Sequence, residues 1–160
     1  MLKVNNMKKT FLFATGILLA LAVSAEERTF TSPDGNIEVT VTDTDGTPDY
    51  SVKYDGNVFI LSSPLGLNTS MGDFTSGMTL LPEKDAPKLV EEQYSVKTIK
   101  QSKVDYKATE AVFTFAKDER TIYDVIFRVS DRDVAFRYKV YPRRNTLSAV
   151  ILNEATGFQL

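Results

Sequence analysis

The strongest pattern in the chain is a two-residue alternation of apolar and polar side chains at residues 121–141. Four apolar side chains share one face of its first half: Tyr123, Val125, Phe127 and Val129. The second half, VAFRYKV at residues 134–140, alternates in the same way. Because successive side chains of a strand point to opposite faces, each half is typical of a half-buried strand. The charged tripeptide DRD at residues 131–133 separates them and predicts the turn of a hairpin.

Shorter alternating stretches predict further strands, at residues 28–31, 36–42, 50–54, 58–61, 92–100 and 108–115. The sequence DGN at residues 55–57 lies between two of them and predicts a tight hairpin, because Asp-Gly tolerates positive φ angles. Residues 68–88 contain two glycines and two prolines with little periodicity, so we expect mostly irregular structure there. No stretch after Ala25 shows apolar residues at helical spacing. Seven or eight short strands predict a single all-β unit, an antiparallel sandwich or barrel.

The first 25 residues have the pattern of an export signal. A basic start with Lys3, Lys8 and Lys9 precedes the uncharged apolar run FLFATGILLALAV, which small residues follow up to Ala25. This run is shorter than the roughly 20 residues that span a bilayer, so we favour a cleavable signal peptide over a membrane anchor. We expect cleavage between Ala25 and Glu26, a mature domain at residues 26–160, and a periplasmic or secreted protein without a membrane association. Translation from Met1 or from Met7 would be compatible with this pattern.

The amino-acid composition excludes several classes of catalytic site, metal site and partner. The chain has no Cys and no His, which removes Ser-His-Asp and Cys-His catalysis and ordinary zinc sites. All 21 acidic residues and only 16 of the 19 basic ones lie after Ala25, so the mature domain is acidic. It has no basic run, which argues against nucleic acid and anionic membranes as partners. Carboxylates, Lys, Tyr or an oxygen-bound cation remain as candidate chemistry.

The acidic residues offer no confident site. Asp43, Asp45 and Asp49 with Gly46 resemble a fragment of a calcium loop, but the helical flanks and the closing Glu of that motif are missing. We therefore interpret them as turn residues, which Asx-rich connections between strands commonly contain. Four further carboxylates fall in predicted hairpin turns and receive the same interpretation: Asp118, Glu119, Asp131 and Asp133. No short sequence motif identifies a pair of catalytic carboxylates of the kind that glycosidases use.

Tyrosine is the other candidate, because its ring can stack on a sugar. The seven tyrosines are Tyr50, Tyr54, Tyr94, Tyr106, Tyr123, Tyr138 and Tyr141. A strand tyrosine more often packs across a sheet, so for each of them we expect packing and not sugar contact. The chain has no Trp, which weakens the case for a free-standing sugar-binding platform. From the residues alone, we predict an exported β-sandwich and no specific catalytic, cofactor or metal residue.

Four segments in order make the prediction more specific. They are SPDGNI at residues 32–37, PDYSVKYDG at 48–56, SPLGL at 63–67, and DVAFRY at 133–138 followed by EATGF at 154–158. Together they resemble the N-terminal domain of glycoside hydrolase family 97, a family of exported α-glucosidases and α-galactosidases. The resemblance covers essentially the whole of residues 26–160. It implies a β-sandwich of the galactose-mutarotase-like type, assigned to a carbohydrate-binding superfamily.

The resemblance also implies that, in members of this family, a (β/α)8 barrel follows the N-terminal domain and carries the catalytic carboxylates and a calcium ion. The family's N-terminal domain is longer than this one, and its calcium-reaching glutamate lies beyond the position that matches Leu160. Glu154 belongs to the strand framework and does not match that ligand. We therefore assign this chain no catalytic, cofactor or metal residue, and we expect calcium only in the full-length enzyme.

The resemblance leaves three hypotheses open. In the first, the chain is a C-terminally truncated domain that is inactive as a hydrolase alone, with an α-linked oligosaccharide as the substrate of the full-length enzyme. In the second, it is a stand-alone periplasmic carbohydrate-binding or scaffolding module. In the third, it pairs with a separately encoded barrel. The chain alone does not distinguish glucosidase from galactosidase chemistry, or inverting from retaining chemistry.

Overall fold

The computed structural model describes residues 26–95, 103–142 and 148–160. The predicted signal peptide and the end of the predicted strand at 92–100 lie outside these ranges. The first sheet is a meander of four antiparallel strands in the order β1-β2-β3-β4. Its strands are β1 (Glu27–Thr31), β2 (Ile37–Thr42), β3 (Asp49–Tyr54) and β4 (Asn57–Pro64). A 3-10 turn at Thr44–Gly46 connects β2 to β3.

The second sheet faces the first and contains the hairpin at residues 121–141. Its strands are β7 (Thr79–Leu80), β8 (Lys88–Ser95), β9 (Lys103–Lys117), β10 (Arg120–Ser130) and β11 (Val134–Val140). The order is β11-β10-β9-β7, and β8 pairs with the first half of β9. The hairpin of β10 and β11 is confirmed in register, with Val125 opposite Tyr138 and Phe127 opposite Phe136. A third, small sheet joins β12 (Ile151–Glu154), β5 (Leu67–Thr69) and β6 (Gly72–Phe74).

The core lies between the first two sheets. The predicted inner face of β10 is fully buried, since Tyr123, Val125, Phe127 and Val129 are all inaccessible to solvent. Aromatic rings join the sheets: Phe30 of β1 lies 5.7 Å from Phe113 of β9, and Tyr50 of β3 lies 5.9 Å from Phe127. Burial of such large apolar surfaces is the main favourable contribution to folding, and the ring contacts add to it. The predicted antiparallel sandwich is confirmed.

Two hairpin turns lie where the sequence predicts them and have the backbone geometry of tight turns. Asp55 and Gly56 both have positive φ, at 50° and 75°, and form the two-residue turn predicted between β3 and β4. Asp118 and Glu119 likewise adopt positive φ between β9 and β10. A two-residue turn with positive φ at both positions matches the right-handed twist of the strands that it joins.

Residues 68–88 are mostly irregular, as predicted, although parts of β5, β6 and β7 lie within them; these strands are only two or three residues long and carry no period that a sequence shows. The predicted bounds of the following strand need correction. The strand predicted at residues 92–100 begins earlier, at Lys88, because pairing with β9 extends it. The described residues therefore contain twelve strands, more than the seven or eight predicted.

Candidate functional site

The loop that resembles a calcium-loop fragment has a structural role. The Asp43 carboxylate is buried and accepts two backbone hydrogen bonds, from Glu26 N and Leu80 N, each at 2.8 Å. It thereby ties the start of β1 and strand β7 to the end of β2. Asp45 occupies the left-handed region in the 3-10 turn, and Asp49 begins β3. Within the described ranges, no group of three or more acidic side chains could hold a metal ion.

The carboxylates at the β10–β11 turn also support the backbone. Asp133 accepts a hydrogen bond from the Ser130 hydroxyl at 2.7 Å, and that hydroxyl accepts from the Arg132 and Asp133 amides. Asp131 accepts from the Asp34 amide at 3.0 Å and so links this turn to the β1–β2 turn. These contacts agree with the interpretation of the acidic residues as turn residues.

Of the seven tyrosines, two lie in the protein interior, three are half-buried and two are exposed. Tyr50 and Tyr123 are almost fully buried, and burial raises the pKa of Tyr50 to about 12 and that of Tyr123 further. Both hydroxyls therefore remain protonated donors, to the Gly157 and Phe74 carbonyls respectively. Tyr54 and Tyr94 are instead about half exposed. Packing is confirmed for the core tyrosines, and Tyr54 is left available to a ligand or partner.

One buried carboxylate lies on the outer face of the second sheet, where the sequence pattern places a polar side chain without a role. Asp124 accepts hydrogen bonds from the Thr114 hydroxyl at 2.9 Å and from the Tyr141 hydroxyl at 2.6 Å. Lys139 lies 3.7 Å from the same carboxylate and 4.9 Å from the centre of the Tyr141 ring. Each partner comes from a different strand or strand end, so this arrangement holds β9, β10 and the end of β11 together.

A cleft of about 840 Å³ lies beside this group, at the end of the sandwich that holds the β9–β10 turn. Lys117 lines it, but its amine already donates to the Asp73 and Ser76 carbonyls at 3.0 and 2.8 Å. The Tyr141 hydroxyl is bound to Asp124. Lys117 is therefore engaged in holding the loop around β6, and Tyr141 is engaged with the outer face of the second sheet, which leaves both less able to bind a ligand.

A second cleft of about 560 Å³, which we call the edge cleft, opens at the other end of the sandwich. Its lining is Ile37, Val52, Tyr54, Phe59, Ile60, Asp131, Arg132, Asp133 and Val134. Tyr54 and Phe59 are 53% and 61% exposed, which is high for aromatic residues. An apolar floor with a few polar groups at its rim is typical of a binding surface.

Further apolar side chains of the described residues are exposed outside this cleft. They are Val58 and Leu61 on β4, Val150, Ile151 and Leu152 at β12, and Phe158 and Leu160 near the end of the chain. Adjacent exposed apolar residues along strand edges mark surfaces that contact other polypeptide. Among the described residues, no helix is long and apolar enough to cross a membrane.

The described residues thus form an antiparallel sandwich with a cleft and exposed apolar side chains at its edge, and several of its carboxylates support its own turns. Comparison with known families identifies the domain. The family model described as glycosyl-hydrolase 97 N-terminal matches residues 30–160, so the chain belongs to this family as its N-terminal domain.

Individual relatives agree with this assignment. A probable retaining alpha-galactosidase of Streptomyces bingchenggensis (strain BCW-1) is 33% identical over 117 residues, which make up 73% of this chain and 18% of that protein. The crystal structure of a beta-arabinopyranosidase has a TM-score of 0.76 at 35% identity and covers 82% of this chain and 21% of its own. A glycoside hydrolase family 97 enzyme from Pseudoalteromonas sp. strain K8, in complex with panose, has a TM-score of 0.71 at 29% identity, with 82% and 20% coverage. The chain thus spans about a fifth of the length of these relatives.

Proposed function

We propose that this chain serves as the N-terminal domain of an exported enzyme that hydrolyses α-linked oligosaccharides. The observation that carries the proposal is the family match over residues 30–160, together with relatives that are glycoside hydrolases about five times as long. In this proposal the sandwich positions substrate and supports the enzyme, while a (β/α)8 barrel provides the catalytic carboxylates. In the same proposal, the calcium ion of the full-length enzyme is held by residues outside this domain.

A domain exchange tests this function. The 117-residue matched region of the Streptomyces relative is replaced by the corresponding residues of this chain, and hydrolysis of p-nitrophenyl α-galactoside is measured. We expect the chimera to retain turnover, and the relative with that region deleted to lose it. A soluble chimera without turnover, beside an active parent, would contradict the proposal.

The isolated chain gives the complementary result. We expect no turnover of p-nitrophenyl α-galactoside or α-glucoside by purified residues 26–160, because in this proposal the catalytic carboxylates belong to the barrel. Turnover at an enzyme-like rate by the isolated chain would contradict the proposal that the barrel carries out catalysis.

Export is part of the same proposal. The basic start, the apolar run and the small residues before Glu26 support cleavage between Ala25 and Glu26. Expression in a Gram-negative host followed by mass spectrometry of the periplasmic fraction should give a protein that begins at Glu26. An uncleaved chain in the membrane fraction would support an anchor instead.

The alternative function is that of a stand-alone carbohydrate-binding module. The exposed rings of Tyr54 and Phe59 at the edge cleft support it. Aromatic rings stack on sugars, and carboxylates at the rim accept hydrogen bonds from hydroxyls. Calorimetry against maltooligosaccharides separates the two functions. Saturable heat that Phe59→Ala abolishes would favour the module, whereas no heat favours the enzyme domain.

A further inference from the structure

Strands β8 and β9 form a two-stranded ribbon that extends past the end of the second sheet. The last pair between β10 and β9 joins Ser130 to Ala108, whereas β8 and β9 remain paired as far as Ser95 and Lys103. Every residue of β8 from Glu91 onward is exposed. Among the described residues, this part of β8 therefore has both of its faces open to solvent.

One face of the ribbon combines aromatic rings with charged side chains. Glu92 lies opposite Tyr106, and Tyr94 lies opposite Val104. Because paired residues, and residues two apart along a strand, point to the same side, these four side chains share a face. Alternation along β9 places Glu110 on this face as well. It is the outer face of the second sheet, since the core residues of β9 point the other way.

Arg128 of β10 lies on the same face and is held by two carboxylates. Its Nε lies 2.8 Å from Glu110 Oε2, and its Nη1 lies 3.0 Å from Glu92 Oε1. The side chain is 35% exposed, so the guanidinium is fixed in direction at the surface. A guanidinium has further N–H groups beyond the two that these contacts use, and they can donate to a hydroxyl oxygen of a ligand.

The two tyrosines supply a ring face and a hydroxyl. Tyr94 is 49% exposed, so its ring is accessible from solvent. Tyr106 is half-buried, and its pKa is raised by this burial and by the Asp133 carboxylate, so its hydroxyl remains a donor. A sugar needs both features, because its ring stacks on an aromatic face and its hydroxyls require hydrogen-bond partners.

We propose that this surface binds a neutral α-linked oligosaccharide. We call it the ribbon face and define it by Glu92, Tyr94, Tyr106, Glu110 and Arg128. Tyr94 stacks on a sugar ring, Arg128 donates to sugar hydroxyls, and the two glutamates accept from them. The choice of an α-linked sugar rests on the proposed function, whereas the location of the site rests on the geometry of β8, β9 and β10.

The charges of the ribbon face favour a neutral sugar over other ligands. Two carboxylates and one guanidinium, with the Asp133 carboxylate beside them, give a net negative surface that disfavours anionic ligands. Strand β8 also carries Lys88 and Glu91, and charges on an edge strand discourage the addition of a further polypeptide strand. Charged residues are likewise depleted at the centres of protein–protein interfaces.

The experiment follows the backbone amides of isotope-labelled residues 26–160 by NMR. Maltotriose is titrated first, and raffinose, which carries an α-linked galactose, is titrated separately. Because the surface is open, we expect weak but saturable binding of at least one of these sugars. The amide signals that move should be those of residues 92–94, 104–106 and 128.

Three variants identify the ring that binds. We expect Tyr94→Ala to weaken binding at least about fivefold, because the stacking surface is lost. Tyr94→Phe keeps the ring and should bind within about twofold of the wild type. Tyr54→Ala is the matched control, since it removes a ring of similar exposure, 53%, at the edge cleft, and it should leave binding unchanged. Dispersed amide spectra verify that each variant is folded.

Four results would overturn the proposal. The first is a folded wild-type chain whose spectrum neither sugar changes. The second is binding that Tyr94→Ala leaves intact. The third is a set of shifts around the edge cleft that Tyr54→Ala removes, which would assign the sugar to that cleft. The fourth is a shift of the ribbon face that follows protein concentration without sugar, together with a dimer in analytical ultracentrifugation, which would assign the face to a second copy.

The test is independent of catalysis, because it measures binding and not hydrolysis. A chimera without turnover, beside a ribbon face that binds sugar, would contradict the proposed enzyme function alone. An active chimera beside a ribbon face that binds neither sugar would contradict this inference alone.

Discussion

Tyr138 and Gly66 are 72 positions apart, yet the Tyr138 hydroxyl accepts a hydrogen bond from the Gly66 backbone N–H at 2.9 Å. The same hydroxyl lies 3.0 Å from that of Thr156. One side chain of the second sheet therefore supports both the connection from β4 to β5 and the segment around Thr156.

Removal of this hydroxyl should weaken the fold at that junction. We expect Tyr138→Phe to lower the free energy of unfolding by about 1–2 kcal/mol, because the Gly66 amide loses its acceptor in a largely buried position. Urea denaturation measures the effect. Tyr94→Phe, at an exposed ring, is the matched control and should change stability by less than about 0.5 kcal/mol. Equal effects from the two variants would contradict the role given to Tyr138.

Gly66 itself should not tolerate a side chain. Its φ is 141°, and a Cβ there would lie 2.8 Å from Thr75 Cα and 2.9 Å from Phe74 O, both backbone atoms. We expect Gly66→Ala to cost about 2–4 kcal/mol from strain and overlap together. Gly35→Ala has a similar backbone demand, with φ of 81°, but open space around the new Cβ, so its cost should be clearly smaller. Thermal unfolding of both variants provides the comparison.

Asp43 should matter for stability. We expect Asp43→Ala to cost about 2–4 kcal/mol, because the Glu26 and Leu80 amides both lose a charged acceptor. The Leu80 amide should also exchange faster with solvent, which NMR detects directly. Asp85→Ala, at an exposed carboxylate in a loop, serves as the control. A stable Asp43→Ala protein with unchanged exchange at Leu80 would contradict this assignment.

The contributions of Asp49 and Asp34 to folding stability should change in opposite directions as the pH falls. Burial raises the pKa of Asp49 above its ordinary value of 3.8, so its ionised form opposes folding and this cost disappears as the pH falls. The Ser32 hydroxyl and the Asn36 amide lower the pKa of Asp34, so its contribution is present above pH 3.8 and is lost as the pH falls through the lowered value.

The corresponding asparagine variants reveal this difference. Relative to the wild type, we expect Asp49→Asn to be most favourable at neutral pH and to lose that advantage in acid. Asp34→Asn should be least favourable at neutral pH and should approach the wild type in acid. Urea denaturation between pH 7 and pH 3 measures both profiles, and slopes of the same sign would contradict the assignments.

The open edge of β4 should limit solubility. We expect Phe59→Lys to reduce association of the purified chain, because a charge on an exposed edge strand discourages pairing with other chains. Light scattering as a function of protein concentration measures it. Thr29→Lys adds the same charge to β1, at the other edge of this sheet, and should have a smaller effect because that edge exposes less apolar surface.

The alternating pattern and the turn residues predicted the main strands and three hairpin turns correctly, because both depend on local chemistry. A period of two identifies a half-buried strand wherever several residues repeat it, as in β10 and β11. Strands of two or three residues, such as β6 and β7, are too short to carry a period. They exist because neighbouring strands supply their hydrogen bonds, which the sequence near them does not show.

The sequence by itself determined the all-β class, the family and the inner face of β10, because periodicity and motif order are properties of the chain. Only the tertiary structure decided that Asp43 joins β1 to β7 and that Ser63 bridges β4 to Gln159. Each of these depends on groups 17 to 96 positions apart in the chain. The packing of the sheets determines these partners. The identity of a hydrogen-bonding side chain does not specify which distant backbone group will lie within reach of it.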